Sequence, residues 1–269
     1  MAEYQTVLFE KDAATNVATV TINRPEAMNS FTYEMCMEFV DIWKRCKDDD
    51  EIHVILLRAA AGRAFSTGID VTRISDPTNP LVSTDEFNAV DPGEFLGAKY
   101  NKCWKPLVVA VHGMCAGGGF YWINEADIVI CSEEATFFDP HVTYGMTSAL
   151  EPYGALARGM PLPDVLRMVL LGNDERIGAM TAMRLGIVSE VHPLDQLYDR
   201  ARALAEQIAE KPTQATQGSL KAIWQSLDMP RSVALATALK YCQLGNEKGM
   251  QQVNRTKLMA DKAKKYTIR

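Results

Sequence analysis

The chain has 269 residues, 47% of them hydrophobic and 23% charged, which suits one large core or a core with a small appendage. A formal net charge of −6 argues against nucleic acid as a partner, because no surplus of positive charge awaits phosphates. The first residues lack the basic end and apolar run of a secretory signal, and no apolar stretch approaches the roughly 20 residues needed to span a bilayer, so a cytoplasmic protein away from membranes is expected.

Residues 17–22 alternate as a strand and end at Asn23-Arg24-Pro25, a turn signal. From Thr32 onward, Met35, Phe39, Ile42, Trp43 and Cys46 recur at helical spacing, with Glu34 near the favourable N-terminus. Residues 54–57 form a continuous apolar run, as a strand buried on both faces requires, and residues 107–111 and 126–131 repeat the pattern. Strands alternating with helices predict an α/β layered fold. Residues 75–97 are polar and aperiodic and read as a long surface loop. Beyond residue 195 the composition turns helical: Leu197, Ala201, Leu204, Ala205 and Ile208 form one stripe, and Pro212 suits the first turn of the next helix. Residues 231–264 carry little strand or turn signal. The expected division is a core over residues 1–194 and a helical subdomain over 195–269.

The six cysteines have no CxxC spacing and read as reduced core thiols. The four histidines show no ligand spacing, and nucleophile-elbow, phosphate-loop and zinc-helix motifs are absent. Two glycine segments remain, each directly after a buried-strand candidate. They are Gly62-Arg-Ala-Phe-Ser-Thr-Gly-Ile-Asp70 and His112-Gly-Met-Cys-Ala-Gly-Gly-Gly-Phe120. Successive glycines cost conformational entropy and make sense where backbone approaches something closely or presents free N–H groups at a helix start. A tight strand-to-helix connection with no ligand would use the same residues.

As a pair, the segments resemble those of the crotonase (enoyl-CoA hydratase/isomerase) superfamily, F-[SC]-x-G-x-D followed by A-x-G-G-G or A-G-G-G. Here they read Phe65-Ser-Thr-Gly-Ile-Asp70 and Ala116-Gly-Gly-Gly119. The resemblance extends through Asn23-Arg24-Pro25, Asp127-Ile128, Phe138-Asp-Pro140 and the stretches 171–177 and 182–191. It implies the ClpP-like crotonase fold of stacked ββα units and an acyl-CoA substrate. Coenzyme A would arrive as part of that substrate, with no separate cofactor and no metal. It further implies an oxyanion hole made by the N–H groups of Ile69 and Gly118, and a CoA-contacting segment at Ala64, Phe65, Ser66, Gly68 and Asp70, with Asp70 fixing the turn. Relatives assemble as trimers or pairs of trimers through the C-terminal helices, so a homotrimer or dimer of trimers is expected.

The family's hydratases hold water between two glutamates, and here those positions carry Tyr121 and His141. Tyrosine, with a pKa near about 10, is chiefly a hydrogen-bond donor, whereas histidine at about 6.5 serves as acid or base. Both side chains can equally serve to shape the acyl pocket. Some relatives use a carboxylate eight positions beyond the second glutamate. That position is Ala149, but Glu151 stands two residues on. The catalytic candidates therefore rank His141, Glu151, Tyr121. Asp139 is set aside because the family varies there. Two functional classes are open: an enzyme working through an acyl-CoA enolate (hydration, isomerisation or hydrolysis of an unusual acyl group), or a catalytically degenerate acyl-CoA binding protein.

Overall fold

The computed structural model describes residues 4–73, 79–81, 87, 89–260 and 268. The chain forms two compact units, divided between Ile208 and Ala209.

The first unit begins with β1 (Val7–Asp12), which pairs antiparallel with β2 (Val17–Ile22). Thr32 then caps α1 (Tyr33–Asp48), its hydroxyl accepting the Met35 N–H at 3.3 Å. The predicted stripe of Met35, Phe39, Ile42, Trp43 and Cys46 is fully buried, which is why the helix settles on the sheet. Next come β3 (Val54–Ala59) and the three-residue β4 (Ala64–Ser66). The same long-then-short pairing repeats as β5 (Leu107–Val111) with β6 (Met114–Ala116), and as β7 (Ile128–Ser132) with β8 (Thr136–Phe138). After β5–β6 follows α3 (Phe120–Asn124), and after β7–β8 follows α4 (Leu150–Ala157). The numbering leaves α2 for a short helix, Gly93–Leu96.

These repeats are the stacked ββα units that the resemblance implies. Long strands build a six-stranded sheet in the order β1-β2-β3-β5-β7-β10, parallel after its first hairpin, where β10 is Glu190–His192. Short strands build a second sheet, β4-β6-β8-β9, closed by β9 (Ile177–Gly178). Because β4, β6 and β8 run parallel, the connections that leave their C-terminal ends lie side by side. Ligands of parallel sheets gather at such ends.

Three expectations shift. The stretch expected as a loop over residues 75–97 closes with α2, whose Leu96 is fully buried and whose Leu96 carbonyl accepts the Trp43 indole N–H at 3.1 Å. Residues 75–78, 82–86 and 88 of that stretch lie outside the described residues. The strand expected at residues 126–131 starts two residues later, because Asp127 turns its carboxylate onto the Leu107 N–H at 2.7 Å. Five cysteines are buried thiols, but Cys242 is exposed rather than part of a core.

The remaining helices of the first unit are α5 (Leu162–Leu171), α6 (Ala179–Arg184) and α7 (Leu194–Ala209). The boundary expected at residue 195 coincides with the start of α7, one helix ahead of the division between units. Leu197, Ala201 and Ala205 on that helix are fully buried. In the second unit, α8 (Thr213–Ser226) begins just after Pro212, which stands as its N-cap residue, and packs on α9 (Arg231–Gln251). The chain then breaks at residues 252–254 before α10 (Arg255–Ala260). Among the described residues, no helix is long and apolar enough to cross a membrane.

Candidate active site

The connections after β4 and β6 touch each other through their backbones. Gly68 has φ +87°, a left-handed conformation, and a methyl on it would lie 2.7 Å from the Gly118 amide nitrogen. A methyl on Gly118 would lie 2.6 Å from the Phe31 ring and 3.3 Å from Gly68 Cα. Only glycine permits this approach. Phe31 also orients Ile69: its N–H donates to Gly68 O at 2.8 Å and its carbonyl accepts from Asp70 N at 2.9 Å. That pairing uses the groups on both sides of Ile69 and turns the Ile69 N–H away from Phe31. Gly118 lies in a 3-10 turn (Gly117–Gly119) that runs directly into α3, where the first N–H groups have no intrahelical acceptor. Both residues line a cleft of about 1040 Å³.

One wall of the cleft is Ala27, Met28, Ser30, Thr67, Asp70, Val71 and Thr72. Of the five residues expected to contact CoA, Asp70 is on this wall. Ala64, Phe65 and Ser66 have buried side chains, and the Ser66 hydroxyl accepts the Gly68 N–H at 3.2 Å. Asp70 fixes the turn as expected. One carboxylate oxygen accepts from the Thr72 N–H and hydroxyl, and the other pairs with Arg24 at 3.0 Å. Burial raises its pKa, but these bonds from Thr72 and Arg24 outweigh burial and hold it below the usual carboxylate value.

The connection after β8 carries the polar cluster. His141 opens a 3-10 turn (His141–Tyr144) beside the glycine turn, close enough that a methyl on Gly117 would lie 3.5 Å from its Cε1. Its Nδ1 is 2.6 Å from Asp139 Oδ1, and its backbone N–H donates to the same oxygen at 3.0 Å. Asp139 is fully buried, and its second oxygen accepts the Ser148 hydroxyl at 2.6 Å. Opposite stands Glu151, in the first turn of α4, with Oε1 at 3.9 Å from His141 Nε2. Glu151 is 5% exposed, whereas Ala149, the position at which relatives place a carboxylate, is exposed. The helix start holds it there, since the Asn124 amide of α3 donates to Glu151 O at 2.9 Å. Tyr121 of α3 completes the cluster, packing its ring against Gly93 of α2. Asp91, which caps that helix by accepting the Gly93 N–H at 2.9 Å, faces the Tyr121 hydroxyl.

These surroundings move His141, Asp139, Glu151 and Tyr121. The Asp139 hydrogen bond raises the His141 pKa, outweighing burial. Burial pushes Asp139 up, but bonds from His141 and Ser148 pull it below the ordinary value. Burial dominates at Glu151 and raises it, with Asp139 and Asp91 adding repulsion against the attraction of His141. Tyr121 is driven far above ten by burial and the neighbouring Glu151 and Asp91, so it stays a phenol.

The structure therefore brings His141, Glu151 and Tyr121 to one cleft with Ile69 and Gly118, and adds Asp139, Ser148 and Asp91. The Asp139-Pro-His141 spacing was a readable signal, because an Asp side chain often accepts the N–H two residues on. Asp91 and Ser148 gave no local signal. The backbone of Ile69 and Gly118 and the side chains of His141, Glu151 and Tyr121 thus line one cavity.

A family model described as enoyl-CoA hydratase/isomerase matches residues 12–257. The chain is 34% identical over 219 residues to the (E)-benzylidenesuccinyl-CoA hydratase of Thauera aromatica, covering 81% of this chain and 83% of that one. It is 30% identical over 217 residues to the carnitinyl-CoA dehydratase of Escherichia coli strain K12, covering 80% and 79% respectively. The crystal structure of an enoyl-CoA hydratase/isomerase from Mycobacterium paratuberculosis superposes with a TM-score of 0.78 at 33% identity over 90% of both chains.

Proposed function

The chain belongs to the enoyl-CoA hydratase/isomerase family and has its crotonase fold, and from that premise we propose that it adds water to, or removes it from, a 2-enoyl-CoA with His141 and Glu151 as its acid–base pair. The observation that carries this reading is the 3.9 Å separation of His141 Nε2 and Glu151 Oε1 in the cleft that Ile69 and Gly118 line.

In this reading the thioester oxygen accepts from the Ile69 and Gly118 N–H groups. Water sits between His141 and Glu151. The His141 Nε2 lone pair takes one water proton as the oxygen bonds to Cβ, and the alkene electrons move onto the thioester oxygen. Glu151, whose protonated form burial favours, delivers its proton to Cα as the enolate collapses. Transfer from the imidazolium back to the Glu151 carboxylate restores both groups, so one water is consumed and no proton is left over. Each amide donor is worth roughly 3–4 kcal/mol and the acid–base assistance about 10²–10⁴ in rate. Tyr121, as a phenol, donates toward Glu151 and holds it.

Phe31, Tyr121, Phe138, Tyr144 and Met146 line the cleft, which favours an aryl-bearing acyl group, as does the likeness to a hydratase of benzylidenesuccinyl-CoA. The assay is hydration of cinnamoyl-CoA by wild type, His141→Ala and Glu151→Gln. Turnover in wild type that falls at least 100-fold in both variants is expected. Tight binding with no turnover on any enoyl-CoA would favour the acyl-CoA binding protein instead.

A further inference from the structure

We infer that Asp139 is a positioning residue for His141, fixing which ring nitrogen faces the cleft and how basic that nitrogen is, with Ser148 fixing Asp139. The inference concerns the acid–base pair named above, but it rests on geometry that stands whatever the substrate.

Asp139 has no solvent contact at all, and a buried carboxylate is costly unless its lone pairs are used. Here they are. Oδ1 receives the His141 Nδ1–H at 2.6 Å and the His141 backbone N–H at 3.0 Å, and Oδ2 receives the Ser148 hydroxyl at 2.6 Å. An ionised carboxylate only accepts, so Nδ1 must carry the proton in the neutral ring. Nε2 is then the lone-pair nitrogen, on the side of Glu151. The two bonds to Oδ1 come from one residue, one fixing its backbone and the other its ring, so the imidazole cannot flip without losing the Nδ1 bond. A glutamate at position 141 would keep the backbone N–H but have no side-chain N–H to offer, and its carboxylate would repel Asp139. The aspartate thus suits a histidine at 141 and no carboxylate there.

A cation site is the competing use of this cluster, since Asp139, His141 and Glu151 bring donor atoms within 4.8 Å of one another. The hydrogen bonds decide against it. Asp139 already accepts three donors, from His141 and Ser148, so a metal would have to compete with them and would otherwise rest on one imidazole nitrogen and the Glu151 carboxylate.

The groups facing the ring are Asp139 from the end of β8 and Glu151 from α4. Tyr121 of α3 and Asp91 ahead of α2 stand behind Glu151. All but Asp139 lie on the Nε2 side, so a change at Asp139 alone tests the Nδ1 side.

The decisive measurement is ¹⁵N NMR of the His141 ring in the full chain, assigned by loss of its signals in His141→Gln. Wild type should show a protonated Nδ1 and a lone-pair Nε2 once the ring is neutral. The opposite tautomer would overturn the inference without any variant. Asp139→Asn should lower the ring pKa, give a mixed tautomer and move the acidic limb of kcat/KM to lower pH. In the same variant kcat should fall about 10²–10⁴-fold with KM little changed. Ser148→Ala keeps the carboxylate and should keep the tautomer. A folded Asp139→Asn protein with unchanged tautomer and pH limb would reduce Asp139 to a packing residue. The ring titration reads Asp139 even in a protein inactive on every enoyl-CoA tried, so the two readings fail separately.

Discussion

Replacing Gly118 by alanine tests the oxyanion hole with the smallest possible perturbation. The added methyl would lie 2.6 Å from Phe31 Cε1 and 3.0 Å from its Cζ. Carbon atoms in contact sit about 3.5–4.0 Å apart, so the overlap is close to 1 Å. Phe31 cannot yield, being 1% exposed and set edge-on to Tyr121 and Trp122 at 6.3 and 6.0 Å between ring centroids. The glycine turn must move instead. Overpacking of this kind costs about 1–3 kcal/mol, a part of the roughly 5–15 kcal/mol that holds a domain folded, so the chain still folds. At about 2–4 °C per kcal/mol, the melting temperature should drop by roughly 2–12 °C. The amide moves with the turn, and loss of one such donor costs about 10²–10³ in kcat. Steady-state hydration, thermal melting and calorimetric binding of the product CoA thioester separate the two effects: kcat should collapse while binding weakens far less. Gly118→Val should abolish turnover. Wild-type kcat in a folded Gly118→Ala protein would refute the assignment of this amide.

Crotonyl-CoA should be hydrated about 10²–10⁴-fold more slowly than by a relative with two glutamates, since His141 offers one basic nitrogen and Tyr121 mainly a donor; fast hydration insensitive to His141→Ala and Glu151→Gln would show the catalytic residues to be misplaced. Stability should be greatest in mildly acidic solution. His141 has a raised folded pKa, so its contribution is complete below the unfolded value of 6.5 and is lost as pH rises through the folded one. Asp139 has a lowered folded pKa, so its contribution is complete above 3.8 and is lost as pH falls. Buried Glu151 adds a penalty that grows as pH rises above 4.5 and it ionises. Urea denaturation from pH 4 to 9 should show this alkaline decline in wild type and a smaller one in His141→Gln; equal declines would contradict the pairing. Assembly as a trimer or a pair of trimers should appear in light scattering, since α9 exposes Val233, Leu235, Leu239 and Leu244. A stable monomer at micromolar concentration would refute it.

Much of the fold follows from local pattern. The α1 stripe from Met35 to Cys46 is periodic over enough residues to dictate both element and buried face, and the continuous apolar runs at β3 and β5 mark strands buried on both sides. The alternation at β2 marks the strand but not its burial, since all six of its residues are buried. The glycines at 68 and 118 marked a close approach of backbone, because no other residue tolerates what surrounds them. The short strands β4, β6 and β8 were beyond sequence reading, since three residues carry no period. Yet those strands line up Ile69, Gly118 and His141 at neighbouring ends. Which carboxylates join them was likewise a tertiary matter. Glu151 enters the cleft because Asn124 pins the start of α4, and Asp91 faces the Tyr121 hydroxyl because α2 packs on that ring. Asp139 is legible as Asp-Pro-His, but only its burial and its bond to Nδ1 distinguish it from an ordinary turn aspartate. Sequence alone specifies elements and the places where backbone must come close. Side chains far apart in the chain meet by packing, which depends on every layer between them.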